Sequence, residues 1–312
     1  MTNPLLKYAR RAEMSILLPS STGEWYEEGM IDYTPNGEVE VYPMLPKDEL
    51  MLLNPDSLLS GQVNIDMIKS CVPSIKYPEK LLYPDANVLF LAIQKATYGN
   101  TLTMSAICPK CQEKAIQIQD KEKIEEAEKR GEIIIHAQDM EYDIGSILSS
   151  ITYLKSEYTV KTDEGLIIYL RPNILKDKMK YGLMSYNQQK ILKAYKDYDY
   201  EKRSTNDETQ SEIMENVTEC YNKMNEIGNQ LITSCISKIK LPDDTFVSDS
   251  QMIYEYVSNT KTSLIMKLHQ KIKEMNDVGL PTTLSYRCSC CGHEWEDKFY
   301  GYNQVDFFGI GS

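Results

Sequence analysis

Two Cys-x-x-Cys pairs, Cys108 with Cys111 and Cys288 with Cys291, constrain this chain more than any other feature of it. A tight turn lets both sulfurs of such a pair point to one side, and two pairs complete the tetrahedral shell of a single zinc ion. The first pair reads Cys108-Pro109-Lys110-Cys111. The second, Cys288-Ser289-Cys290-Cys291-Gly292-His293, offers a choice of ligands. Cys288 and Cys291 repeat the two-residue spacing, and Gly292 follows where backbone amides must turn toward the sulfur. Cys290 then points away as a spectator, and His293 stands as the reserve ligand. The pairs are separated by residues 112–287, 176 positions, against the roughly 15–20 of a compact zinc ribbon. The two halves must therefore be brought together by the fold. Leu102, Met104 and Ala106 alternate into Cys108, and Ala115-Ile116-Gln117-Ile118 alternates again beyond Cys111. The expectation is strand, knuckle, strand over residues 101–118, paired with a second hairpin over 283–299, with a helical region inserted between them.

Other chemistry is poorly supported. A thioredoxin-like use of Cys108 and Cys111 needs a βαβ setting with the first cysteine at a helix start, and the alternation after Cys111 predicts a strand there. Catalytic zinc needs an open coordination position and a general base. Apart from His293, only His136 and His269 are available, each read as an ordinary strand or helix residue. Cys71, Cys220 and Cys235 sit in apolar helical contexts as small buried hydrophobes. The sequence contains no Gly-rich phosphate loop, no Gly-x-Ser-x-Gly and no His-Glu-x-x-His. No catalytic or organic-cofactor residues are assigned, and the reading is of a non-enzymatic protein.

With 312 residues the chain can bury a core without metal. A formal net charge of −12 and a pI near 4.9 oppose nucleic-acid binding and anionic membranes. Lys110, Lys114 and Arg287 are too few beside the knuckles to reverse that. No run approaches the roughly 18 apolar residues of a spanning helix, and Ile16-Leu17-Leu18 is too short for a signal sequence, so a soluble cytosolic product is expected. Twenty-two tyrosines against five phenylalanines lean slightly toward protein contact surfaces.

Along the chain, Lys7, Arg10 and Arg11 suggest a basic arm that either reaches toward a neighbour or is disordered. Residues 31–33 and 39–42 flank Asn36-Gly37 as a hairpin. Helices are expected from Pro46, over 63–71, and from Asp85 to Gly99, and a charged helix from Lys121 to Arg130. Ile133-Ile134-Ile135 and residues 140–142 return to strand, and residues 158–160 and 166–170 form a second hairpin. Two long helices are predicted over 174–200 and 209–239, joined through residues 203–207, and two shorter ones follow, beyond Ser248 and over 262–276. The fold class is α+β. Its expected parts are an N-terminal arm, hairpin and small helices (1–99), a zinc-ribbon-like β domain (100–172 plus 280–312) and an inserted α-helical domain (173–279).

A run of segments adds a resemblance: Met14-Ser15-Ile16-Leu17-Leu18-Pro19-Ser20, Glu40-Val41-Tyr42-Pro43-Met44, Lys47-Asp48-Glu49-Leu50, Ser70-Cys71-Val72-Pro73-Ser74-Ile75 and Ala96-Thr97-Tyr98-Gly99-Asn100. Further along stand Cys108-Pro109-Lys110-Cys111, Tyr169-Leu170-Arg171-Pro172, Leu241-Pro242-Asp243, Cys291-Gly292-His293-Glu294-Trp295 and Phe307-Phe308-Gly309. In this order they resemble the baseplate hub protein family of T-even-type contractile-tailed phages, over nearly the whole chain. The chain departs in Gln112, where a glycine often follows the first knuckle, and in the added thiol of Cys290.

The resemblance implies a structural virion component acting in tail and baseplate assembly, made in the bacterial host cytoplasm. Its implied partners are other baseplate, hub or tail-tube proteins, and a tape-measure protein is a further candidate, in a multi-copy assembly. It also implies a structural zinc on Cys108, Cys111, Cys288 and Cys291. The competing expectation is a transient tail-assembly chaperone that binds a hub or tape-measure protein, motivated by the pair of amphipathic helices from Ile174 to Ile239, which offers an apolar face to a partner helix.

Overall fold

The computed structural model describes residues 9–54, 61–118, 121–133, 136–201 and 207–299. The first described residues lie against the body of the protein. Arg10 donates from Nε to Pro43 O at 2.7 Å and from Nη1 to Ser70 O at 2.9 Å, and lies 3.9 Å from the buried Asp48 carboxylate. The basic arm is thus tied down in cis at Arg10, because a guanidinium with carbonyl and carboxylate acceptors at hand is better satisfied there than free. Lys7 lies outside the described residues.

β1 (Met14–Ile16) pairs antiparallel with β2 (Val39–Val41). The Asn36-Gly37 turn forms, with Gly37 at φ +78° donating to Thr34 O. The expected hairpin does not, because Ile31 bridges to Ile75 and leaves β2 to β1. α1 (Pro46–Leu52) and α2 (Gln62–Cys71) precede α3 (Tyr83–Tyr98), which carries Pro84 in its first turn and stops at Gly99, φ +96°. Val88, Leu89, Phe90, Leu91, Ala92 and Ile93 are all 1% exposed or less. A helix apolar on every side must be surrounded, and α3 is the axis of the first hydrophobic cluster, around which Val39, Val41, Met67, Ile68 and Leu102 pack.

β3 (Thr101–Ala106) leads to α4 (Pro109–Ile118), α5 (Lys121–Lys129), β4 (Gln138–Asp143) and α6 (Ile144–Ser149), the last capped by Asp143 Oδ1 accepting from Ser146 N. β3 pairs with β4, not with a strand after Cys111. The segment read as a strand over 115–118 is the second half of α4. Pro109 opens it, Gln, Glu, Lys and Ala favour it, and Cys111, Ala115 and Ile118 line one face at helical spacing, leaving Ile116 67% exposed. Ile133 is buried but not in a strand, and Ile134 and Ile135 lie outside the described residues.

β5 (Tyr158–Lys161) and β6 (Ile167–Leu170) form the second expected hairpin. α7 (Leu175–Glu201) and α8 (Asp207–Ser234) follow, then β7 (Ile236–Lys240) and β8 (Phe246–Val247). The predicted linker falls mainly on 203–206, outside the described residues. α8 ends five residues short of the predicted Ile239. Ile236 and Ile239 instead join a four-stranded antiparallel sheet in the order β5-β6-β7-β8, with an irregularity at Tyr169/Leu170. α9 (Ser250–Asn259) and α10 (Thr262–Asn276) help cover this sheet, and Ile168, Ile239, Ile253, Val257, Leu268 and Met275 make the second cluster. The last described elements are β9 (Thr283–Arg287) and β10 (Glu294–Lys298), an antiparallel pair. The fold is α+β. Among the described residues no helix is long and apolar enough to cross a membrane.

Candidate metal centre

A third, smaller cluster holds Cys108, Cys111, Ala115, Ala127, Ile133 and Cys288. Cys108 lies between β3 and α4, and Cys111 lies in the first turn of α4, whose N-terminal partial positive charge favours thiolates. Cys288 follows β9. The turn between β9 and β10 is closed by Cys288 N donating to His293 O at 2.8 Å and Gly292 N donating to Cys288 O at 3.0 Å. Gly292 has φ +65°, which a side chain would strain.

The fold brings these two turns face to face. The four Sγ atoms of Cys108, Cys111, Cys288 and Cys291 all lie within 4.8 Å of one another. Cys108 Sγ is 3.7 Å from Cys291 Sγ, and Cys111 Sγ is 3.8 Å from Cys288 Sγ. A disulfide requires about 2.05 Å. Four sulfurs at about 2.3 Å from one tetrahedral centre stand about 3.8 Å apart, so the spacing and the soft donors fit a metal ion. Cys108, Cys111 and Cys288 are buried, and Cys291 is half-buried.

The electrostatics are uneven. Burial raises the Cys108 thiol. Burial also opposes ionisation of Cys288, but N–H donation outweighs it: from Cys291 N at 3.4 Å, from Gln138 Nε2 at 3.5 Å and from the backbone of Cys290. Together these bring the thiol to about 6. Gln138 also accepts at Oε1 from Ser289 N at 3.0 Å and from Ser289 Oγ at 2.7 Å. One side chain at the start of β4 therefore both orients the second turn and supports a sulfur. Nothing in the sequence marked it, since a lone glutamine before a strand carries no spacing signature.

Cys290 is turned away from the four sulfurs and donates to Gly131 O at 3.0 Å. His293 stacks on Trp295, ring centroids 6.1 Å apart, and Trp295 stacks on Tyr286 at 5.4 Å. Tyr142 of β4 packs edge-on against Tyr286 and donates from its hydroxyl to Ser285 O at 2.8 Å, joining β4 to the β9–β10 hairpin beside the cysteines. His136 lies 3.4 Å from Glu128, and His269 lies on α10.

The sequence argument against redox chemistry needs a different basis, because Cys108 does stand at a helix start. What opposes it is the setting. β3 pairs antiparallel with β4, so no βαβ unit is formed, and the Cys108 and Cys111 sulfurs each face a sulfur of the second pair.

Comparison with known proteins is consistent with a structural role. A family model described as T4 bacteriophage base plate protein matches residues 30–309. No curated protein and no solved structure matches the chain.

Proposed function

The chain belongs to the T4 bacteriophage base plate protein family, and from that premise we propose that it is a structural component of the hub region of a contractile-tail baseplate. It acts in baseplate and tail assembly through contacts with other tail proteins, without catalysing a reaction. The single observation that carries this reading is the family match over residues 30–309. We read the four-cysteine cluster as a structural zinc site. Zinc bound to four sulfurs has no open position for substrate, and its binding free energy, on the order of 10–16 kcal/mol in small zinc modules, is available for holding the two turns together. In this reading the clasp joins two turns that stand on either side of residues 112–287 in the chain.

The apolar stripe of α8 favours this subunit reading over a chaperone. Cys220 and Ile227 are buried and α8 packs against α7, so the face that suggested a partner helix is engaged within the chain. Quantitative mass spectrometry of purified particles tests the proposal. A fixed stoichiometric amount in the tail supports a subunit. Absence from mature particles, with presence in assembly intermediates, would replace it with the chaperone.

A further inference from the structure

Where the first and second clusters meet, a cleft of about 580 Å³ opens between α3, α7, α8, α10 and the β9–β10 hairpin. Its walls reverse the character of the chain as a whole. A protein of net charge −12 here presents Lys178, Lys273 and Lys298, with Asp277 the one carboxylate lining the space. Lys178 Nζ sits 5.2 Å from the centre of the Tyr83 ring, a cation held over an aromatic face at the rim. Apolar side chains of α8 and α10 form the floor.

A further feature suits an occupant. Gly228 lies inside α8, where glycine costs about 1 kcal/mol against alanine. A Cβ there would meet nothing within 4 Å, so no packing among the described residues requires it, and the glycine leaves the cleft wall open. A bare anion would bring the lysines acceptors but leave the apolar floor uncovered. A peptide bearing carboxylates brings both acceptors for the lysines and apolar groups for the floor.

We propose that this cleft receives an acidic segment of a second tail protein. The proposal rests on the baseplate reading above, and the test separates the two. Phage encoding Lys178→Glu/Lys273→Glu/Lys298→Glu are plated beside wild type, beside a Lys→Gln triple variant and beside phage lacking this chain. The purified Glu variant is first shown to keep the wild-type melting temperature and metal content. The expected result is a loss of titre of about tenfold or more for the Glu variant, since a reversed charge in a desolvated contact is repulsive, with a smaller loss for the Gln variant. Plaques regained from the Glu variant should carry acid-to-base changes in another tail protein. Unchanged titre of the folded Glu variant, or compensating changes confined to this chain, would overturn the proposal. Normal baseplates in phage lacking the chain would instead overturn the baseplate reading itself.

Discussion

Asp85 offers a pH test of how the first cluster is closed. Its carboxylate is fully buried. Oδ1 accepts from Ser20 N at 2.9 Å, and Oδ2 accepts from the Tyr26 hydroxyl, whose oxygen in turn accepts from Leu82 N at 2.9 Å. Burial is the largest influence on this acid. The hydrogen bonds from Ser20 and Tyr26 only partly offset it, leaving the carboxyl at about 6 against an ordinary 3.8. An acid whose folded pKa is raised holds its proton more tightly when folded. Its contribution to stability is therefore complete below about pH 3.8, declines between 3.8 and 6, and is gone above 6. That gap corresponds to about 3 kcal/mol. Asp85→Asn removes the titration while keeping an acceptor for Ser20 N. Urea unfolding followed by the fluorescence of Trp25 and Trp295, on both proteins between pH 4 and 7, isolates the effect. The difference in stability should move by about 2.4 kcal/mol in favour of the variant across that window, the rest of the gap lying below pH 4. Titrations elsewhere cancel between the two proteins. A difference that stays flat with pH would mean that Asp85 ionises as if exposed, and would refute the buried Ser20–Asp85–Tyr26 arrangement.

Three further outcomes follow from the same geometry. Gln138→Ala should leave one metal per chain at saturation but weaken its retention about 10- to 100-fold, measured by competition with a chromogenic chelator, because the residue supports a sulfur without ligating the metal. Cys290→Ser should retain the metal and change stability by no more than about 1 kcal/mol, since the thiol donates to Gly131 O, a bond a hydroxyl can also make, and is only partly buried; loss of metal from this variant in the same chelator assay would place Cys290 among the ligands. Phe90→Ala, at 1% exposure in the axis of the first cluster, should cost about 3–5 kcal/mol in chemical denaturation.

The candidate site was legible because its signal is one of spacing. Two thiols three positions apart can share an ion whatever surrounds them, so Cys108, Cys111, Cys288 and Cys291 stand out without any fold. What the spacing does not carry is the partner of each strand. Ala115-Ile116-Gln117-Ile118 alternates like a strand, yet Cys111, Ala115 and Ile118 also fit a helix, and tertiary burial of that face decided the matter. The same ambiguity moved the end of α8. Leu231, Cys235 and Ile239 keep a spacing of four, and only the pairing of Ile239 with Ile168 and Val247 shows that the last of them belongs to a sheet. Asn36-Gly37 likewise marked a real turn but not which strand β2 would join, because strand partners are chosen by long-range packing. Long isolated patterns read truly: α3, bounded by Pro84 and Gly99, and α10, whose Leu264, Leu268, Ile272 and Met275 form one buried face, lie where periodicity put them.

Metal analysis of the purified protein tests most directly whether one metal ion closes the two distant turns. The prediction is one zinc per chain, with an X-ray absorption first shell of four sulfurs at about 2.3 Å. Cys111→Ser/Cys288→Ser should lose the zinc and, with it, the stability of the two turns it joins. A wild-type chain that is folded and free of metal would rule out the metal clasp.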